Sequence, residues 1–264
     1  MPEPTTAATS AVLVPVAAEL AKRAIKEGWF GRFKDIFRRR HRILLLGSTG
    51  VGKSNFVKSL IDPLPEVIDT LNRTVFPRYH RLKIEAQPFE FIDTPGQAAH
   101  APVRMKEIRR LIRKKANLGV ISLVAYGYHE YVADLASAFD SKGKVNPEFL
   151  KLHRQYECEF VEAWAPLLID PTITKWIITL ISKADLWWSS RNTVLKFYTN
   201  PPYTSPFGGV SELMPAAVPY CSVMRRYFSR GKISLGFDDS DRQNLRADMF
   251  RILLEAIGKP ESHG

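Results

Sequence analysis

The stretch Leu46-Gly47-Ser48-Thr49-Gly50-Val51-Gly52-Lys53-Ser54, continued by Asn55, decides the fold. Gly47-x-x-x-x-Gly52-Lys53-Ser54 fits the pattern G-x-x-x-x-G-K-[ST] at every fixed position. Glycines at these places let the backbone turn so that consecutive N–H groups face phosphate oxygens, and the helix that follows adds the partial positive charge of its N-terminus. The reading assigns Gly47, Ser48, Thr49, Gly50, Val51, Gly52, Lys53, Ser54 and Asn55 to a nucleotide phosphate site. Lys53 bridges the outer phosphates and the Ser54 hydroxyl ligates Mg²⁺. The flanks agree: 42–46 is a short apolar run suited to a buried strand, and 54–60 reads as a helix.

Working outward, strands and helices alternate. Residues 79–86 alternate polar and apolar as a strand, with 88–93 as its hairpin mate. A helix is expected over 103–116 with Ile108, Leu111 and Ile112 inward. The apolar runs 119–125 (GVISLVA) and 175–181 (KWIITLI) read as strands buried on both faces. Between them, 146–168 reads as a long helix with Asn146 as N-cap and Pro147 at its first position. A helix over 190–198, a last strand over 217–223 and a terminal helix over 241–257, capped by Asp239 or Ser240 and stopped by Gly258, complete the pattern. This is an α/β fold: a three-layer arrangement with a mostly parallel central sheet and helices on both faces. Residues 126–145 and the Pro- and Gly-rich 200–215 read as insertions. Residues 1–40 form a separate N-terminal part: a loose start, then an amphipathic basic helix whose Trp29, Phe30, Phe33, Ile36 and Phe37 share a face.

Two further motifs follow the first in order. In Phe91-Ile92-Asp93-Thr94-Pro95-Gly96-Gln97 a strand ends in a carboxylate, with a glycine three residues on. Asp93 is expected beside the metal, the Gly96 amide near the terminal phosphate, and Gln97 where it orients an attacking water. In Ser182-Lys183-Ala184-Asp185 a carboxylate follows a late buried strand. A carboxylate accepts two hydrogen bonds from the ring N–H and exocyclic amine of guanine, a pair adenine does not offer, and a lysine stem lies against the base plane. Lys183 and Asp185 therefore argue for guanine.

This ordered set, GSTGVGKS, DTPGQ and SKAD with a threonine between the first two, resembles the Ras-like small GTPase group of the P-loop GTPases, from about residue 42 to 257. The resemblance implies a G domain over 41–264 that binds GTP or GDP with Mg²⁺ and hydrolyses GTP slowly, as a switch. It implies switch loops near 68–78 and 93–105, with a protein effector or activator as partner. It implies a metal set of Ser54, Thr74 and Asp93 (Thr70 being the alternative threonine), Lys53 and Gln97 as catalytic residues, and Cys221 and Ser222 beside the base. The sequence departs from the group in places. Ser182 stands where Asn or Thr is usual, keeping a hydroxyl to tie that loop to the phosphate loop. Thr49 occupies a position that is glycine in many members, where a side chain crowds an arginine brought by an activator. The strand 119–125 lacks the group's following Asp. The departures mark an outlying, prokaryotic-type relative.

Composition bounds the rest. The chain of 264 residues is 45% hydrophobic, enough for a sizeable core, and carries two cysteines, Cys158 and Cys221, which make no disulfide framework. No secretory signal or membrane-spanning run is apparent, so the expected location is cytoplasmic or peripheral to a membrane. The net charge of +11 is uneven: Ala101 to Lys115 holds seven Lys or Arg against one acid. Such a cluster attracts RNA, anionic lipid or an acidic protein face, or is a plain solvated face. An RNA- or ribosome-associated GTPase and a membrane- or partner-docked GTP-binding module with little hydrolysis are the rival readings. Sequence-specific DNA binding is not expected.

Overall fold

The structure, a computed structural model, describes residues 40–61, 74–84, 87–114, 117–129, 138–139, 144–208, 217–224 and 236–258. The amphipathic segment expected within 1–40, Thr70, most of 126–145 and the stretch 209–215 lie outside these residues. Six strands form one sheet in the order β2-β3-β1-β4-β5-β6: β1 (His41–Leu46), β2 (Arg78–Ile84), β3 (Gln87–Asp93), β4 (Leu118–Val124), β5 (Thr174–Ile181) and β6 (Ala217–Pro219). Every neighbouring pair is parallel except the β2–β3 hairpin. The described helices are α1 (Lys53–Ile61), α2 (Ala101–Arg113), α3 (Pro147–Leu168), α4 (Ala184–Trp187), α5 (Arg191–Thr199) and α6 (Asp239–Gly258).

Alternation along the strands sorts the core into two layers. Leu44, Leu46, Ile92, Val120, Val124, Ile177 and Ile181 face one side and pack against α2, α3 and α5 through Ile108, Val161, Trp164 and Val194. Ile43, Leu45, Phe91, Ile121, Leu123 and Leu180 face the other and pack against α1 and α6 through Phe56, Val57, Met249 and Leu253. Strands buried on both faces read as continuous apolar runs, as observed in β4 and β5. Part of the expected 200–215 insertion belongs to the core. Tyr203 and Phe207 are buried, the Tyr203 hydroxyl lying 3.0 Å from Ser122 Oγ on β4 and 3.3 Å from Thr179 Oγ1 on β5.

Parallel register brings the carboxyl ends of the strands to one edge. Leu45 pairs with Asp93, Leu46 with Ser122, Val124 with Ile181, and Ile181 with Pro219. In open α/β sheets ligands bind in the crevice beyond this edge.

Two boundaries differ from the sequence expectation. The last strand stops at Pro219 rather than reaching Val223, because its neighbour ends at Ile181 and turns into α4. The Tyr220 carbonyl then accepts from Ala184 N at 3.0 Å. The terminal helix begins at Asp239, and its cap is Asp238, neither Asp239 nor Ser240. Asp241 N donates to Asp238 Oδ1 at 2.9 Å, and Asp238 N donates back to Asp241 Oδ2 at 3.1 Å, a reciprocal capping box. At α3 the expected cap holds, with Phe149 N donating to Asn146 Oδ1 at 3.2 Å. Asp238→Ala should cost about 1 kcal/mol and lower the thermal midpoint by roughly 2–4 °C, read by calorimetry against the unaltered chain.

Candidate functional site

The loop 47–52 leaves β1 and enters α1 at Lys53. Gly50 (φ 81°) and Gly52 (φ 95°) hold left-handed backbone. At Gly52 a Cβ would meet nothing within 4 Å, so the dihedral rather than space calls for glycine there. The Lys53 side chain is buried and turns back into the loop, Nζ donating to Gly47 O at 2.7 Å and Ser48 O at 3.1 Å. Burial pulls this ammonium down to about 8; Asp93 pulls the other way, and Arg104 adds to the lowering.

β3 delivers Asp93, fully buried, to the same place. Ser54 Oγ donates to Asp93 Oδ2 at 3.0 Å, Thr74 Oγ1 donates to the same oxygen at 3.1 Å, and the two hydroxyls are 3.3 Å apart. Of the two threonines considered from sequence, Thr74 therefore stands in the cluster. Asp93 Oδ1 and Ser48 Oγ are buried and have no hydrogen-bond partner among the described residues. Two hydroxyl side chains on a buried carboxylate with an unused oxygen suit a small hard cation such as Mg²⁺.

The segment after Asp93 is gripped from both sides. Thr94 Oγ1 donates to Leu45 O at 2.7 Å, closing β3 against β1. Gly96 lies so near the phosphate loop that a Cβ there would sit 2.5 Å from Lys53 Nζ and 2.8 Å from Gly47 O. Arg104 was grouped with the charged cluster of its helix, yet it is 5% exposed. Its Nη1 donates to Pro95 O at 2.8 Å and reaches Gln97 O at 3.5 Å, and its guanidinium lies 4.4 Å from the Phe160 ring centroid. Gln97 is half-buried at the start of the following turn.

On the far side, the 182–185 loop is joined to the phosphate loop by two side chains. Ser182 Oγ is within donor reach of Val51 O (2.6 Å) and Val124 O (2.9 Å) and shares its one proton between them. Ser182 thus makes the tie expected of it. Lys183, in left-handed backbone (φ 59°), donates from Nζ to Gly50 O at 2.8 Å and to Tyr128 O. Asp185 is fully buried, and Cys221 Sγ lies 3.4 Å from its Oδ1. Burial, then the Asp185 charge, keep the Cys221 thiol protonated well above its usual range. Ser222 follows at the surface of the same turn; Asn55 and Thr49 are half-buried on the phosphate-loop side.

Behind this loop is a polar group the sequence reading missed. Glu157 of α3 is buried, accepting from Ala125 N (2.7 Å) and lying 2.8 Å from His129 Nε2. Tyr198 OH donates to its other oxygen and accepts from Tyr126 N at 2.8 Å. Both Arg104 and Glu157 sit on apolar stripes, Arg104 with Ile108 and Leu111, Glu157 with Leu150, Val161, Trp164 and Leu168. A charge on such a stripe was the available signal.

Residues 42–152 match the family model described as 50S ribosome-binding GTPase, fewer than half of the 264 residues. Comparison with curated proteins finds no match for the chain. The matched span takes in the phosphate loop, Thr74 and 93–97, and ends ahead of Ser182. With the six-stranded, mostly parallel sheet it supports a P-loop GTPase domain that binds guanine nucleotide; it does not single out the Ras-like group. Among the described residues no helix is long and apolar enough to cross a membrane.

The lowered Lys53 pKa has a consequence for stability. Between about 8 and the usual 10.5, the unfolded chain holds the Lys53 proton and the folded chain does not. Unfolding free energy therefore gains a rising contribution with pH in that window, absent below it. The buried Tyr203 and Tyr220 hydroxyls are both pushed up by burial, Tyr220 to about 12, and oppose this only from near pH 10 upward. Denaturant titrations from pH 8 to 9.5 should show stability rising in the ligand-free chain relative to Lys53→Met.

Proposed function

We propose that this chain is a GTP-hydrolysing switch of the small-GTPase type, with Mg²⁺ held by Ser54, Thr74 and Asp93. One observation carries the reading: three motifs, distant in sequence, meet at one sheet edge with direct side-chain bonds between them, including Ser182 to Val51 across 131 positions. A phosphate loop alone serves many nucleotides. A phosphate loop bonded to a buried Lys-x-Asp turn is suited to guanine.

In this reading Asp185 accepts from the guanine ring N–H and amine, and Cys221 and Ser222 line the base from the turn after β6. The Lys183 stem covers the base plane while its ammonium stays on Gly50 and Tyr128. The Lys53 ammonium moves from the Gly47 and Ser48 carbonyls to the outer phosphates. Their negative charge raises its pKa again, so it binds as the cation. Bound Mg²⁺ supplies charge neutralisation at the phosphates. Gln97 orients water toward the terminal phosphorus, and Arg104 fixes the backbone from which Gln97 projects. The water oxygen bonds to the terminal phosphorus as the bond to the bridging oxygen breaks; GDP keeps that oxygen and its charge, and inorganic phosphate leaves with the water's oxygen, one of its protons passing to a phosphate oxygen and the other to solvent. Loss of the terminal phosphate releases Gly96 and Thr74, which changes the surface offered to an effector. Unaided turnover of this arrangement is on the order of 10⁻⁴–10⁻² s⁻¹.

Asp185→Asn tests the reading. A carboxylate paired with two donors contributes roughly 1.5–3 kcal/mol per charged hydrogen bond, so GTP affinity should fall at least about tenfold. Affinity for xanthosine triphosphate, which presents a carbonyl in place of the amine, should rise. Equal binding of GTP and ATP by the unaltered chain would overturn it.

A second reading, a ribosome-associated GTPase, is favoured by the matched family's description and by the exposed Lys106, Arg109 and Arg113 on α2 with Lys114 at its end. If it holds, binding to large ribosomal subunits should weaken steeply with salt, and Arg109→Glu with Arg113→Glu should reduce that slope. Salt-independent or absent binding would exclude it.

A further inference from the structure

Glu157 is a carboxylate with almost no solvent contact, on a helix that contributes none of the proposed nucleotide contacts. A buried carboxylate costs several kcal/mol unless its oxygens are satisfied. Here they are satisfied, and the identity of the donors is informative. Oε1 takes Ala125 N and His129 Nε2; Oε2 takes the Tyr198 hydroxyl, which itself receives Tyr126 N. Apart from that phenol, each of these groups belongs to one turn, residues 125–129, at the carboxyl end of β4.

That turn is unusual in itself. Tyr126 has φ 51° and Gly127 φ 82°, and a Cβ on Gly127 would lie 2.3 Å from Leu150 O of α3. Its internal bonds, Tyr128 N to Ala125 O (2.9 Å) and His129 N to Gly127 O (2.8 Å), fix the backbone on both sides of the Tyr128 carbonyl. That carbonyl accepts from Lys183 Nζ, which also donates to Gly50 O in the phosphate loop. The path runs from a buried carboxylate through one turn to the lysine of the base-reading loop.

We propose that Glu157 is a positioning residue for the base site, fixing the Tyr128 carbonyl and through it the Lys183 side chain. The inference rests on the guanine-site reading of Lys183 and Asp185. Its signature is selective: nucleobase-dependent affinity changes, whereas affinity for the phosphate chain alone does not.

The test uses the full chain and titration calorimetry with GDP, ADP and inorganic tripolyphosphate. Glu157→Gln keeps the shape but places an amide donor among donors. It should weaken GDP at least about tenfold, the effect of one charged hydrogen bond, and leave tripolyphosphate unchanged. Because the effect passes through Lys183, the double variant Glu157→Gln with Lys183→Met should bind GDP no more weakly than Lys183→Met alone. The proposal is overturned if Glu157→Gln binds GDP like the unaltered chain, if GDP and tripolyphosphate weaken together, or if the two substitutions add. Should Glu157→Gln lose its near-ultraviolet circular dichroism, Tyr198→Phe is judged by the same criteria, with a smaller GDP loss expected. An unaltered chain that binds GDP and ADP equally refutes the guanine reading itself. A chain that prefers GDP, with Glu157→Gln unaffected, refutes only the positioning role.

Discussion

β1 lies between β3 and β4, hydrogen-bonded in parallel to both, and what is functional in the molecule is arranged around that placement. Parallel pairing forces the carboxyl ends of the three strands to the same edge. Leu46, Asp93 and Ala125 consequently open their loops side by side, although they are spread along the chain. Crossover helices are the requirement for such pairing, and they cover both faces of the sheet. The loop glycines then need only set local direction. Shifting β1 by one residue would turn Ile43 and Leu45 into the layer of Leu44 and Leu46, so the two apolar layers also lock the register that aligns the site.

At that edge the molecule concentrates buried polar groups. Lys53, Asp93, Asp185 and Glu157 are each less than 10% exposed. Lys53 is met by backbone carbonyls, Asp93 by two hydroxyls, Asp185 by the Cys221 thiol, and Glu157 by a backbone amide, a phenol and the His129 ring. Backbone partners have no rotamers to lose, so the geometry is stiff. The departure is Asp93 Oδ1, unmatched among the described residues and adjacent to the two hydroxyls. Stiff surroundings around an unused acceptor are what a hard cation requires.

The sequence made the frame legible because each element carried its own period. β4 and β5 are unbroken apolar runs, α3 has its Asn146 cap and Pro147, and the phosphate loop is punctuated by glycine. Asp93 stood out because it ends a strand, and Lys183 and Asp185 because they follow one, in a fixed order. What escaped reading depended on partners far along the chain. Tyr203 lies in a Pro-rich stretch that looks like loop, and only the hydroxyls of Ser122 and Thr179 explain its burial. The capping of α6 by Asp238 needed the backbone at Asp241, since three neighbouring polar residues were equally plausible from chemistry alone. Arg104 and Glu157 were hidden by the habit of reading charge as surface. Their positions on apolar stripes were visible, but the carbonyls and amides that receive them were not.

The β2–β3 hairpin leaves β2 at the border of the sheet, with one side of its backbone ladder free of any strand among the described residues. Such a border invites a second chain to add on. Arg78, Arg81 and Lys83 are exposed along it, Arg81 also paired with Glu90 of β3, so a second copy approaching edge to edge would bring like charges together. The excess of basic residues thereby acts as a colloidal safeguard: it keeps the molecule from extending its sheet through copies of itself, most effectively at low ionic strength, where those charges are least screened.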